Sequence, residues 1–250
     1  MLEIIQVKKS FGGLTALNNI SFSIKNGSIT AIIGPNGAGK TTLFNVISGI
    51  YPPDAGKITF EGENITDIHS HRVCYLRITR TFQNIQVFQN MSVLENVMVG
   101  YHACTSAEFI SCMVRTREVK AEEKEVRERA REMLKLVNLD GRENQPAASL
   151  PFGNQKRLEL ARALISRPKL LLLDEPVAGL NMSETKEMAN LILKQKEFGV
   201  TILLVEHDMN LVMKVSDWII VLNYGEKIAE GTPVKIRNDK KVIEAYLGQE

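Results

Sequence analysis

No stretch of the 250-residue chain approaches the ~18–20 consecutive apolar residues that a membrane-crossing helix needs. The N-terminus MLEIIQVKKS carries Glu3 within its apolar stretch and lacks the form of a signal peptide. The expectation is a chain that does not itself span a bilayer. Cysteine is scarce: Cys74, Cys104 and Cys112 make an odd count without C-x-x-C spacing. That excludes a disulfide framework and a zinc site of the usual spacing, leaving three reduced thiols as in a cytosolic protein. There is no large excess of one charge, with 31 basic against 29 acidic residues and a net charge of +2. A nucleic-acid binder relying on a strongly basic surface is therefore not expected. Internal repeats and low-complexity segments are missing too. What remains is an ordinary globular composition, 44% hydrophobic and 24% charged, long enough for one large α/β domain or a core with a smaller lobe.

The order of apolar runs gives an α/β pattern. Residues 4–7 and 20–24 read as strands followed by the turns Gly12-Gly13 and Asn26-Gly27. Residues 30–33 form a short apolar run that ends on glycine, and a helix is predicted over residues 41–48. Another strand is expected at 58–60. From about 91 to 139 the composition turns helical. Val126, Ala130, Met133, Leu134 and Val137 repeat at helical spacing among charges of alternating sign, which predicts an amphipathic helix with a solvated face. Residues 170–173 and 202–205 are apolar runs suited to buried parallel strands, with a helix over 184–196 between them. Residues 218–222 and 227–230 read as a hairpin. Thr232-Pro233 marks the N-cap and first position of a closing helix toward Leu247.

Chemistry concentrates at three places. Gly34-Pro35-Asn36-Gly37-Ala38-Gly39-Lys40-Thr41-Thr42 fits G-x-x-x-x-G-K-[ST] between a strand and a helix. Glycines let backbone N–H groups turn inward on phosphate oxygens, and the helix adds its positive end. Lys40 is suited to the β- and γ-phosphates and the Thr41 hydroxyl to Mg²⁺. Next, Leu170-Leu171-Leu172-Leu173-Asp174-Glu175-Pro176 delivers two carboxylates at a strand's end. Asp174 can hold Mg²⁺, and Glu175 can polarise a water aimed at the γ-phosphate. Finally, His207 follows residues 202–205, at the strand end where such sheets place ligands. A neutral imidazole there can contact the γ-phosphate and orient Glu175. His69, His71 and His102 have no such setting and are expected at the surface.

With these motifs in this order, the sequence resembles the ATP-binding subunits of ABC transporters over nearly its whole length. The resemblance implies a RecA-like P-loop NTPase core with an antiparallel β lobe. It also implies a helical lobe, at about residues 91–165, that carries the family's signature loop. The rest, about 1–90 and 166–250, would form the core and β lobe. Gln83 in Thr79-Arg80-Thr81-Phe82-Gln83 matches the Q-loop glutamine, which approaches Mg²⁺ and the attacking water on a loop that meets the membrane subunit. Without the family it would read as a surface glutamine. Phe11 matches the aromatic that stacks on adenine, with Ala16 lining the same pocket; an ordinary exposed or core phenylalanine is the alternative. Ala178-Gly179-Leu180-Asn181 matches the D-loop, with Asn181 where many members carry Asp. His207 matches the switch histidine.

The signature loop, usually L-S-G-G-Q, reads Leu150-Pro151-Phe152-Gly153-Asn154. Gly153 keeps the second glycine, whose N–H would serve the γ-phosphate of a partner's ATP. Pro151 replaces the serine and offers neither of its donors, which predicts a functional but weakened contact. Phe11-Gly12-Gly13-Leu14-Thr15-Ala16-Leu17, Val205-Glu206-His207-Asp208-Met209 and the ending around Tyr246-Leu247-Gly248 look like the branched-chain amino acid importer ATPases. The Tyr-Leu-Gly ending is shared with lipopolysaccharide-export and urea-importer ATPases. The implied cofactors are ATP and Mg²⁺. The implied partners are membrane permease subunits, a second copy or a related ATPase in a head-to-tail dimer, and indirectly a solute-binding protein. The implied place is the cytoplasmic side of the membrane.

Overall fold

The computed structural model describes residues 1–101 and 117–247. His102, Cys104, Cys112 and Gly248 lie outside the described residues. Four strands, β1 (Leu2–Phe11), β2 (Leu14–Ile24), β4 (Ala55–Phe60) and β5 (Glu63–Asn64), form an antiparallel sheet in the order β2-β1-β4-β5. Six more, β3 (Ile29–Ile33), β6 (Ile78–Arg80), β7 (Leu170–Asp174), β8 (Thr201–Val205), β9 (Trp218–Asn223) and β10 (Glu226–Gly231), form the central sheet in the order β10-β9-β3-β8-β7-β6. Five strands, β6, β7, β8, β3 and β9, are joined by four parallel pairings, and β10 closes the edge as the expected hairpin.

The helices are α1 (Lys40–Ile47), α2 (Ser70–Val73), α3 (Val93–Val99), α4 (Arg117–Leu136), α5 (Phe152–Leu164), α6 (Met182–Glu197), α7 (Met209–Val215), α8 (Pro233–Arg237) and α9 (Lys240–Leu247).

Every residue of β3, β7 and β8 is buried, which is why these runs are apolar throughout rather than alternating. The period of two still divides them between two cores. Leu170, Leu172, Leu203, Val205, Ile220 and Leu222 face α1 and the antiparallel sheet. Leu171, Leu173, Ile202, Leu204, Ile219 and Val221 face the helices of the opposite side. Removing one such leucine side chain to alanine costs about 2–5 kcal/mol in a filled core.

On α4, Val126, Ala130 and Leu134 are buried as the spacing predicts, and Arg127–Glu123 (3.1 Å) and Lys124–Glu128 (4.0 Å) pair along the solvated side. Helix α3 starts on a capping box in which Ser92 and Glu95 satisfy each other's backbone N–H groups.

Two expectations need correction. The closing helix is two helices, broken at Asn238, because the Asp239 carboxylate accepts from Lys241 N (2.9 Å) and starts α9 anew. Strand β6 is missing from the sequence reading, since three residues show too little alternation to register. It is the strand that leads into Gln83.

Candidate active site

The phosphate loop joins the end of β3 to α1, and its glycines are required by contact as well as by conformation. Gly39, the N-cap of α1, has φ 99°, and a Cβ there would lie 2.5 Å from the Ala16 carbonyl oxygen. A Cβ on Gly34 would lie 2.1 Å from the Leu222 carbonyl oxygen. Lys40 is buried and donates to the carbonyls of Gly34 (2.6 Å) and Pro35 (2.8 Å), so the ammonium is folded across the loop. Burial pushes its pKa below the usual lysine value, opposed by the negative charges of Glu175 and Asp174. Thr41 and Asn36 are exposed at the rim.

A cleft of about 440 Å³ runs from this loop to the antiparallel sheet. It is lined by Phe11, Ala16, Gly37, Gly39, Lys40, Thr41, Thr42 and Tyr224 among others. The structure thus brings Phe11 and Ala16 to the phosphate loop from a separate sheet. Phe11 is 42% exposed and meets Tyr51 edge-on at 5.2 Å. Tyr224, in the β9–β10 turn, is a lining residue that the sequence reading did not find.

Near the loop, β7 ends in Asp174, and Glu175 follows it. Asp174 is 2% exposed, and one carboxylate oxygen is paired with Arg80 at 2.8 Å. The same guanidinium donates to Asn45 of α1 (2.7 Å) and to Ser48 (3.1 Å), which caps the end of that helix. It therefore ties three elements together, and it was not singled out from sequence.

Glu175 sits at φ 48°, left-handed for a residue with a side chain, with its N–H held by the Val205 carbonyl (2.9 Å). Gln83 Nε2 donates to Glu175 Oε2 at 3.0 Å. His207 Nδ1 lies 3.8 Å from that oxygen, close but beyond a hydrogen bond, on a side chain 65% exposed. Glu206 is fully buried next to it and accepts from the backbone N–H groups of Val177, His207 and Asp208. Burial raises its pKa. His69 and His71 are exposed, as expected.

The signature loop opens α5. Pro151 occupies the N-cap with φ −53°, where a missing N–H costs little. Phe152 is 50% exposed and its ring covers Gly179. Gly153 is buried, and a Cβ there would lie 2.4 Å from a Glu184 carboxylate oxygen. Asn181 caps α6 by accepting from the N–H groups of Ser183 and Glu184 (3.0 Å each), a task Asn performs as well as Asp.

An oxygen set of the Thr41 hydroxyl, the Gln83 amide and the Asp174 carboxylate would suit a hard cation. Among the described residues, no group of three or more His, Cys, Asp or Glu side chains could cage a metal alone. Mg²⁺ is held by one or two protein oxygens together with nucleotide phosphates.

A largely parallel sheet with a glycine-rich phosphate loop after β3, two carboxylates at the end of β7 and an adjoining aromatic cleft defines a P-loop nucleotide-binding ATPase. Comparison with known proteins narrows the class. The ABC transporter family model matches residues 17–178, and the model described as "Branched-chain amino acid ATP-binding cassette transporter" matches residues 226–250. The high-affinity branched-chain amino acid transport ATP-binding protein BraF of Pseudomonas aeruginosa is 42% identical, covering 100% of this chain and 98% of that one. The corresponding LivG of Escherichia coli K12 is 40% identical at the same coverage. A nucleotide-free ATP-binding cassette from an ABC transporter superposes with TM-score 0.87 at 34% identity, covering 100% of this chain and 99% of that one. The cassette MJ0796, in a dimeric post-hydrolysis state bound to ADP and Pi, matches with TM-score 0.79 at 28% identity, over 93% and 99%. The chain belongs to the ABC transporter family of ATP-binding subunits, and it is an ATP hydrolase of that family.

Proposed function

We propose that this chain powers the import of branched-chain amino acids through partner permease subunits at the cytoplasmic side of the membrane. The observation that carries the ATPase role is the convergence of Gln83 and His207 on one oxygen of Glu175, next to the phosphate loop. The solute rests on the full-length similarity to BraF and LivG, because nothing in a nucleotide site reads the transported molecule.

In this reading, the adenine lies against Phe11 and Ala16 and the phosphates against Gly34, Pro35, Asn36, Gly37, Ala38, Gly39, Lys40, Thr41 and Thr42. Lys40 leaves the two carbonyls it now contacts for phosphate oxygens, which relieves its buried charge. Thr41, Gln83 and Asp174 would hold Mg²⁺, which would supply neutralisation of the developing phosphate charge. Glu175 takes the proton of the attacking water, with Gln83 and His207 fixing its orientation.

The second half of each site comes from another ATPase. Two copies, or this chain and a related ATPase, would pack head to tail, so that the loop at Pro151 and Gly153 faces the partner's nucleotide. The helices between about 91 and 165 then move as a lobe. Their motion reaches the permease through a groove of about 680 Å³ beside Gln83, lined by Cys74, Phe82, Phe88, Val99 and Arg162 among others. Two aromatic side chains there, Phe82 and Phe88, are 40% and 47% exposed.

The deciding experiment is to purify the intact membrane complex and measure which solute stimulates ATP hydrolysis. Stimulation by leucine, isoleucine or valine, acting with the solute-binding protein, is expected. Stimulation only by an unrelated solute would overturn the substrate assignment.

A further inference from the structure

Helix α5 carries three charged side chains on the side that faces the protein interior: Lys156, Glu159 and Arg162, three residues apart. Lys156 is 4% exposed and Glu159 2%. All three hold backbone, and Arg162 also lies 3.9 Å from the Glu159 carboxylate. Lys156 Nζ donates to the Gln83 carbonyl (3.1 Å) and toward the Glu175 carbonyl (3.4 Å). Glu159 accepts from Phe82 N (3.2 Å), and Arg162 donates to the Gln86 carbonyl. The segment that contains Gln83 is thus fastened to α5 at three points.

Lys156 stands apart because it touches two segments that must cooperate. The Glu175 turn is strained, and its N–H is already fixed by Val205. The Lys156 ammonium meets the carbonyl of the same residue, so the strained peptide is gripped from both sides. The Gln83 carbonyl meets the same ammonium while the Gln83 side chain meets the Glu175 carboxylate. One buried cation therefore sets the spacing of the glutamine and the glutamate. It also lies one helical turn beyond Gly153, on the helix whose N-terminus would face the partner's nucleotide.

We propose that Lys156 is a positioning residue for ATP hydrolysis: it ties the signature helix to the backbones of Gln83 and Glu175, so that the carboxylate is aimed when that helix is seated. This rests on the reading of Glu175 as the water-activating group. A lysine suits the task because its three donors can serve several carbonyls at once without demanding planarity.

The test uses the full chain with Lys156→Met, which keeps length and loses the donors, and Lys156→Arg, which keeps charge and donors. Backbone amide exchange of residues 82–86 is measured without nucleotide, and kcat and KM for ATP are measured with Mg²⁺. The Met variant should exchange faster at 82–86 and lose about tenfold in kcat with KM within about twofold, since small misplacements of reacting groups lower rate rather than binding. The Arg variant should recover most of both. Lys156→Leu, which also lacks a donor, carries the same comparison if the Met variant does not fold. Parent-like kcat and parent-like exchange in the Met variant would overturn the proposal. The two readings fail separately: a Glu175→Gln variant that turns over at the parent rate overturns the role of Glu175, while the exchange data judge the Lys156 tether on their own.

Discussion

The phosphate loop and the signature loop both place a glycine at the start of a helix, yet they are built in opposite ways. The phosphate loop is finished within one chain. Gly34 and Gly39 hold conformations and contacts that no side chain permits, Lys40 is buried across the loop, and Arg80 ties Asp174 to α1 behind it. The signature loop has ordinary backbone angles at Pro151, an exposed phenylalanine beside it, and a glycine whose Cα faces Glu184 instead of a cleft. One is a preorganised anion site; the other is a packed surface that needs something from outside to act on. In the proposed dimer, the difference separates nucleotide binding, which a single chain performs, from hydrolysis, which two perform.

Substitutions at the finished half should have the largest effects. Glu175→Gln is expected to lower kcat about a thousandfold with ATP still bound, since a positioned base contributes about 10²–10⁴; steady-state turnover and a nucleotide-binding assay check it. Lys40→Ala should weaken ATP binding about a hundredfold, the equivalent of about 3 kcal/mol in charge-assisted contacts, as read by titration of the isolated chain. Arg80→Met should destabilise the fold by about 3 kcal/mol, because it leaves the Asp174 carboxylate buried without its partner; thermal and denaturant melts report it. Phe11→Ala should weaken ATP binding by about fivefold, in line with an aromatic contact worth about 1 kcal/mol. Smallest is Pro151→Ser. It should leave ATP binding to the isolated chain unchanged and raise ATPase activity by about twofold to fivefold, the worth of one restored hydrogen bond. An effect of Pro151→Ser on binding by the isolated chain would break the division between the halves.

Much of this was legible in the sequence. Uniformly buried strands announced themselves as β3, β7 and β8, because parallel strands covered on both faces read as unbroken apolar runs. The phosphate loop was legible since its glycine spacing has few other uses. The supporting charges were not. Arg80, Lys156 and Glu159 act on groups 94, 73 and 77 residues away in the chain, and a charged residue in sequence reads as solvated until a distant partner is known. Lys156 and Glu159 lie in α5 among Leu158, Leu160, Ala161 and Ala163, so their charges stand beside buried apolar positions; that spacing was the available signal. Likewise Tyr224 joined the cleft only once the β9–β10 turn was placed against β2.

The central claim, that each site is completed by a second ATPase, is tested most directly by mass and rate together. Light scattering of Glu175→Gln with and without ATP, alongside ATPase rate per molecule of the parent chain across protein concentration, gives both. A nucleotide-dependent doubling from the 28.0 kDa chain and a rate that rises with concentration are predicted. A monomer that stays monomeric with ATP bound, and hydrolyses it at a rate independent of concentration, would contradict the account.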